Sequence, residues 1–273
     1  MADAPETDRA ANGERQQSLQ SLERGMAVIQ VFSRERPALT LSEVASLTGI
    51  TRATARRILL TLEKLGHVRS DGRLFSPTPR LLTLGWAYLS SLNLSELALP
   101  LMEALVEETH ESCSAATLDL PDVVYVARVP TRRIMSITLS VGTRLPAHCT
   151  SMGRVLLAAL PDDDLNRYLG ATTLAAWTER TTTDPDRLRA ALDETRQRGW
   201  ALVDQELEIG LRSVAAPIRR GPDTIAALNV SSAVSRVSLD DLRRRILPPL
   251  VQTANTISNA LTHQGPAYHR TVS

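Results

Sequence analysis

The chain has 273 residues, 43% of them apolar and only 3% aromatic, with a formal net charge of +1. That is enough for two domains with cores of Leu, Val, Ile and Ala. It excludes a membrane-spanning helix, because no apolar run approaches the roughly 20 residues a span needs, and two cysteines, Cys113 and Cys149, exclude a disulfide framework.

Residues 1–17 are polar, carry no apolar stretch of signal-peptide type and read as a disordered tail. A reducing cytoplasm is the expected location. Charge is unevenly placed. Residues 18–80 hold ten Arg or Lys against five Asp or Glu, a net of +5, while the tail and residues 81–273 net −2 each. A basic segment in a nearly neutral chain suits a module that meets a polyanion.

The predicted elements explain that segment. Leu22, Met26 and Ile29, spaced by four and three, mark a first helix over 22–33. Thr40 and Glu43 form a T-x-x-E capping box for a second, with Leu39 and Val44 as its hydrophobic staple. Gly49 permits a tight turn, and Thr51 caps a third helix. Ala55, Ile58, Leu62 and Leu65 define that helix's expected buried face, with Arg52, Thr54, Arg56 and Arg57 mostly away from it. Asp71-Gly72 signals a hairpin. Helix, helix, tight turn, helix, hairpin is a winged helix-turn-helix, whose second paired helix enters the major groove. The expected DNA-binding set is Thr40, Thr51, Arg52, Thr54, Arg56 and Arg57, with Arg69 and Arg73 on the wing.

Beyond it, apolar-rich helix follows from Leu81, and Pro100 marks an expected break. Residues 123–129 read as a strand. Residues 134–143 alternate, with Met135, Ile137, Leu139 and Val141 on one face. A helix starts near Thr150 or Ser151, another is capped by Asp184 with Pro185 first and Gly199 after its end, and strands are expected over 200–207, 212–220 and 225–234. Ser238 and Asp241 open a last helix. The start at Thr150 presents unpaired amides and the positive end of a helix dipole, a natural carboxylate site, and Gly153 would let a ligand approach the backbone. His110 with Cys113, and His148 with Cys149, lack zinc spacing, so no metal and no cofactor is expected. No Walker loop, G-x-S-x-G, H-E-x-x-H or G-x-G-x-x-G is present, and no enzyme is expected.

The segments "SLERGMAVIQVF", "LTLSEVASLTGITRATARRILLTLEKLGHV", "GTRLPAHCTSMGRVLLAAL", "RGWALVDQELEIGLRSVAAPI" and "IAALNVSSAVSR" resemble the IclR family of bacterial transcription regulators from about Ser18 to Leu261. The resemblance implies an α+β protein: residues 18–80 a winged helix-turn-helix, 81–98 a linker helix, 99–263 a GAF-like effector and oligomerisation domain with a mostly antiparallel sheet, and 264–273 a tail. "VVYVARVPTRRIMSITLSVGTRLPAHCTSMGR" looks like the branch that controls aromatic-acid catabolism. The implied partners are an inverted-repeat duplex DNA, a second copy of the chain (homodimer or dimer of dimers), and a small carboxylate such as protocatechuate, 4-hydroxybenzoate or β-ketoadipate. The effector residues implied by matching positions are Ser151, Met152, Asp204, Ser213, Asn229 and Ser231. Arg128, Arg144 and His148 are candidates for a second polar end. The alternatives are a regulator of another small-acid pathway, such as glyoxylate or pyruvate, or a second domain that only oligomerises.

Overall fold

The computed structural model describes residues 19–92, 94–131 and 139–263. The chain divides between Tyr88 and Leu89 into two compact units.

In the first unit, α1 (Gln20–Gln30) is followed by β1 (Leu39–Thr40), α2 (Leu41–Thr48), α3 (Arg52–Lys64), β2 (Val68–Ser70) and β3 (Leu74–Pro77). The capping box forms in full: Thr40 N–H donates to Glu43 Oε2 at 2.7 Å, and Glu43 N–H donates to Thr40 Oγ1 at 3.3 Å. Gly49 ends α2 at φ +66°, where a Cβ would be strained. β1 pairs with β3 (Leu39↔Phe75) and β3 with β2 (Ser70↔Phe75), giving a three-stranded sheet in the order β1-β3-β2. Val28, Leu39, Val44, Ala55, Leu59 and Leu62 form the core. Leu59 thus takes the place expected of Leu65, which is 52% exposed. At 100° per residue, ten positions carry Leu65 about 80° off the face that starts at Ala55, and four carry Leu59 only about 40°.

A 3₁₀ turn (Pro79–Leu81) leads to α4 (Leu82–Leu92), on which Leu82, Leu84 and Trp86 are exposed. The next helix, α5 (Leu94–Thr109), runs through Pro100 rather than breaking there. The proline forfeits one helix hydrogen bond, but burial of Ala98, Met102 and Leu105 holds the helix on both sides.

The second unit continues with β4 (Ser112–Asp119), β5 (Asp122–Val129), β6 (Arg144–Pro146), α6 (Ser151–Ala158), α7 (Asp162–Ala171), α8 (Pro185–Arg198), β7 (Ala201–Asp204), β8 (Leu211–Arg220) and β9 (Asp223–Ala233). Then α9 (Leu239–Asp241) passes through a π-helical stretch (Leu242–Ile246) into α10 (Leu247–His263). The six strands form one antiparallel sheet, β6-β5-β4-β9-β8-β7. One face packs against α5 and α10 through Met102, Leu105, Leu228, Leu250 and Ile257. The other packs against α6 and α8 through Val155, Leu157, Leu188 and Leu192. Half of the strand expected over 134–143, residues 134–138, lies outside the described residues. The described remainder is not strand: Ser140 to Thr143 form a turn, in which Thr143 N–H donates to Ser140 O. No helix among the described residues is long and apolar enough to cross a membrane.

Candidate DNA interface and effector cavity

At the start of α3, Thr51 Oγ1 accepts from Thr54 N–H at 3.2 Å and lies 2.9 Å from Thr54 Oγ1. Both hydroxyls are therefore occupied with the cap, as Thr40 is with Glu43. Burial of Ala55, Leu59 and Leu62 leaves Arg52, Arg56 and Arg57 exposed. Among the described residues none of the three is in an ion pair. Arg57 and Thr54 stand on the side facing α1, where they border a groove of about 640 Å³ with Met26 and Ile29. On the wing, Arg69 Nε donates to Ser76 Oγ at 3.2 Å across the hairpin. Arg73 is exposed at the tip. Asp71 shapes that tip by accepting from the Leu74 and Arg73 amides at 2.7 and 2.9 Å, and these bonds hold its carboxyl below the usual range. Among the described residues, Arg52, Arg56, Arg57, Arg69 and Arg73 are in no ion pair, which leaves them able to contact phosphate.

In the second unit the sheet face beneath α6 carries a polar patch set by register. Ser231 pairs with Ser112 and Ser213, and one row further Ser114 pairs with Asn229 and Arg128. Paired residues present their side chains on one face. Above this floor lies a cavity of about 40 Å³ that brings together Arg128, Ser151, Ser213, Asn229 and Ser231. Its walls are Leu139, Leu145, Val203, Leu207 and Leu211, and Ser112, Tyr125, Cys149 and Thr150 complete it. Burial raises the Tyr125 hydroxyl to about 12, and the Cys149 thiol likewise to about 12. Both stay protonated near neutrality, so the cavity holds no thiolate nucleophile.

Thr150 caps α6 by accepting from Gly153 N–H at 3.1 Å. The amides of Ser151 and Met152 precede any intrahelical partner. Ser151 Oγ and Asn229 Oδ1 are buried with no hydrogen-bond partner. Gly153 serves a different purpose from the one expected. A Cβ there would sit 2.1 Å from Ala147 O and 2.4 Å from Ala147 Cα, so it is the chain's own backbone that approaches, not a ligand.

Four expected effector residues do not line the cavity. Met152 is 1% exposed and packs in the core under α6. Asp204 accepts from Arg212 Nε at 2.9 Å and pairs with Arg180 at 3.4 Å. Arg144 is half-exposed and bound to Asp119 and Asp122. His148 is buried with Nε2 3.0 Å from Ala175 O, and burial lowers its pKa. A neighbouring network holds the cavity roof. Arg154, on α6, meets Glu206 at 2.7 Å with both side chains nearly buried, and donates to His148 O at 3.1 Å. Thr182 N–H donates to the same Glu206 carboxylate at 2.9 Å. This fastens the turn bearing Leu207 to α6.

A winged helix with an unpaired basic face, and a second unit enclosing a small polar cavity, define a DNA-binding transcription regulator with an effector domain. Two family models agree: the IclR helix-turn-helix domain matches residues 21–72, and the bacterial transcriptional regulator IclR C-terminal domain matches residues 86–259. The chain belongs to the IclR family. It is 48% identical over 243 residues to the Pca regulon regulatory protein of Pseudomonas putida, covering 88% of this chain and 84% of that one. Among solved structures, a transcriptional regulator from Rhodococcus sp. RHA1 is 51% identical at TM-score 0.81, covering 90% of this chain and all of that one. An IclR homologue from Microbacterium hydrocarbonoxydans, complexed with 4-hydroxybenzoate, is 25% identical at TM-score 0.80, covering 89% and 99%.

Proposed function

We propose that this chain regulates an aromatic-acid catabolic operon. It binds an inverted-repeat operator as a homodimer or dimer of dimers, and answers to a small carboxylate such as protocatechuate, 4-hydroxybenzoate or β-ketoadipate. The observation that carries the reading is the cavity under α6. It combines a guanidinium with no ion-pair partner among the described residues, a helix start, and two unpartnered buried polar atoms, with no carboxylate in its described lining. A domain that served only to oligomerise would have no need of such a chamber, because empty buried polar atoms cost stability. The Pca and 4-hydroxybenzoate relatives support the choice of acid. At about 40 Å³ the cavity has room for roughly three waters, each needing 10–15 Å³. A ring acid enters only by parting its walls. A ligand that binds one arrangement better than another shifts the population toward it, which is how occupancy would reach the DNA-binding unit.

The test begins with selection of sites from random duplex DNA by the purified chain. An inverted repeat should emerge. Arg56→Ala should weaken binding to it by roughly five- to hundredfold, the range for losing a base contact. Each ring acid or β-ketoadipate is then titrated against the protein–DNA complex. No enriched site, or an enriched site indifferent to Arg56 and to every acid, would sink the reading.

A further inference from the structure

Successive residues of β8 alternate between the two faces of the sheet, and Ser213, Ala215 and Pro217 share the face beneath α6. Ser213 lines the effector cavity at the start of that helix. Pro217 lines a second cavity, of about 360 Å³, at its end. That volume lies within the range of about 300–1,000 Å³ for small-molecule sites. Its apolar wall is Val155 and Ala158 of α6, Pro217, and Pro222 in the turn between β8 and β9.

Three charged side chains border this second cavity: Arg196, Arg219 and Asp223. Arg196 is committed to the protein. It donates to Ala158 O and Leu160 O and pairs with Asp162 at 3.2 Å. Arg219 and Asp223 are not. Among the described residues neither side chain has a hydrogen bond or an ion pair, and they do not pair with each other.

Two opposite charges that share one walled space and leave each other unmet narrow the choice of ligand. A simple anion would meet Arg219 but face Asp223. It would also face the C-terminal ends of α6 at Ala159 and of α8 at Gly199, where the helix dipoles are negative. A simple cation would meet Asp223 but face two guanidiniums. A wholly apolar ligand would desolvate both charges without partnering either. A molecule carrying both a carboxylate and an ammonium meets every group. The Arg219 guanidinium donates to the carboxylate as a planar fork, the ammonium lies against Asp223 and the helix ends, and the apolar wall takes the rest.

We propose that this cavity is a second ligand site, separate from the effector cavity, and that it binds a zwitterionic α-amino acid with an apolar side chain. It stands independently of the effector reading given above.

The test is calorimetric titration of the full chain with L-valine, L-leucine and L-phenylalanine. Each is compared with its own deaminated acid and decarboxylated amine (4-methylpentanoate and 3-methylbutylamine for leucine). The best amino acid should bind about fivefold or more tighter than either truncated form, the order expected of one charge-assisted contact in a partly open site. Arg219 and Asp223 are exposed, so Arg219→Gln and Asp223→Asn should leave the melting temperature unchanged while each weakens amino-acid binding by a similar factor. An acid held in the effector cavity would be indifferent to Arg219, so that variant separates the two sites. The proposal is overturned if none of the three amino acids binds, if either variant leaves their affinity unchanged, or if a deaminated acid matches its amino acid and is equally sensitive to Arg219.

Discussion

Gly153→Ala isolates one contact whose sign is diagnostic. On an unobstructed helix, alanine in place of glycine stabilises by about 1 kcal/mol. Here the added Cβ would meet three Ala147 backbone atoms at 2.1, 2.4 and 2.5 Å, distances no real Cβ shows. Backbone cannot rotate away as a side-chain tip can, so α6 and the 146–149 segment must separate. Overpacking of this kind costs about 1–3 kcal/mol and at times more. The contact with backbone puts this site at the upper end, for a net loss of about 2 kcal/mol after the propensity gain. For a unit of this size about 1 kcal/mol moves the melting temperature by 2–4 °C, so the expected fall is about 4–8 °C by differential scanning calorimetry. Cys149, Thr150 and Ser151 line the cavity from this segment, so acid binding should weaken alongside. A melting temperature equal to or above wild type would refute the close approach and the geometry of the α6 start with it.

Three further outcomes follow from the same geometry. Arg154→Met strands the nearly buried Glu206 carboxylate and should cost about 3–5 kcal/mol in chemical denaturation; a loss under about 1 kcal/mol would contradict the pairing. Asp204→Asn should lower stability by about 1–3 kcal/mol through Arg212 yet leave effector affinity within about threefold, and a larger affinity loss would place Asp204 in the cavity after all. His148 is held neutral by burial, with its pKa below the ordinary 6.5. The unfolded chain therefore takes up this proton first, so the contribution is intact above about pH 6.5 and is lost as pH falls through the folded value. Melting temperature should drop as pH falls below about 6.5, and His148→Gln should flatten that drop; an equal slope in the variant would show that His148 is not the titrating group.

The elements legible in the sequence are those with local causes. The Thr40–Glu43 box, the Gly49 turn, the Asp71-Gly72 hairpin and the Asp184-Pro185 start each involve residues within a few positions of one another. β4 was not legible because "SCSAATLD" carries a single β-branched residue, Thr117, and no aromatic to mark it as a strand. Its conformation is imposed by β5 on one side and β9 on the other. The two-residue β1 exists only by pairing with β3. At the cavity the four displaced candidates share one pattern, because each adjoins a residue that does line it. Met152 follows Ser151, Asp204 follows Val203, Arg144 precedes Leu145, and His148 precedes Cys149. In a strand adjacent side chains point to opposite faces, and on a helix they diverge by 100°. Asp204 and Arg144 point off the cavity into ion pairs, while Met152 and His148 turn into the interior beside α6. Asn229, Ser231 and Ser213 line the cavity because sheet register places their side chains on the face beneath α6.

Every residue of α6 from Ser151 to Ala158 is buried. Its first residue borders the cavity. Its last offers a carbonyl to Arg196 Nε at 2.9 Å, and that same guanidinium reaches Leu160 O at 3.2 Å. Close-packed interiors transmit strain, so a displacement imposed at Ser151 would be passed along α6 toward its opposite end, two turns away, where the arginine of α8 grips it. A ligand in the cavity would thereby act on a part of the protein it does not touch.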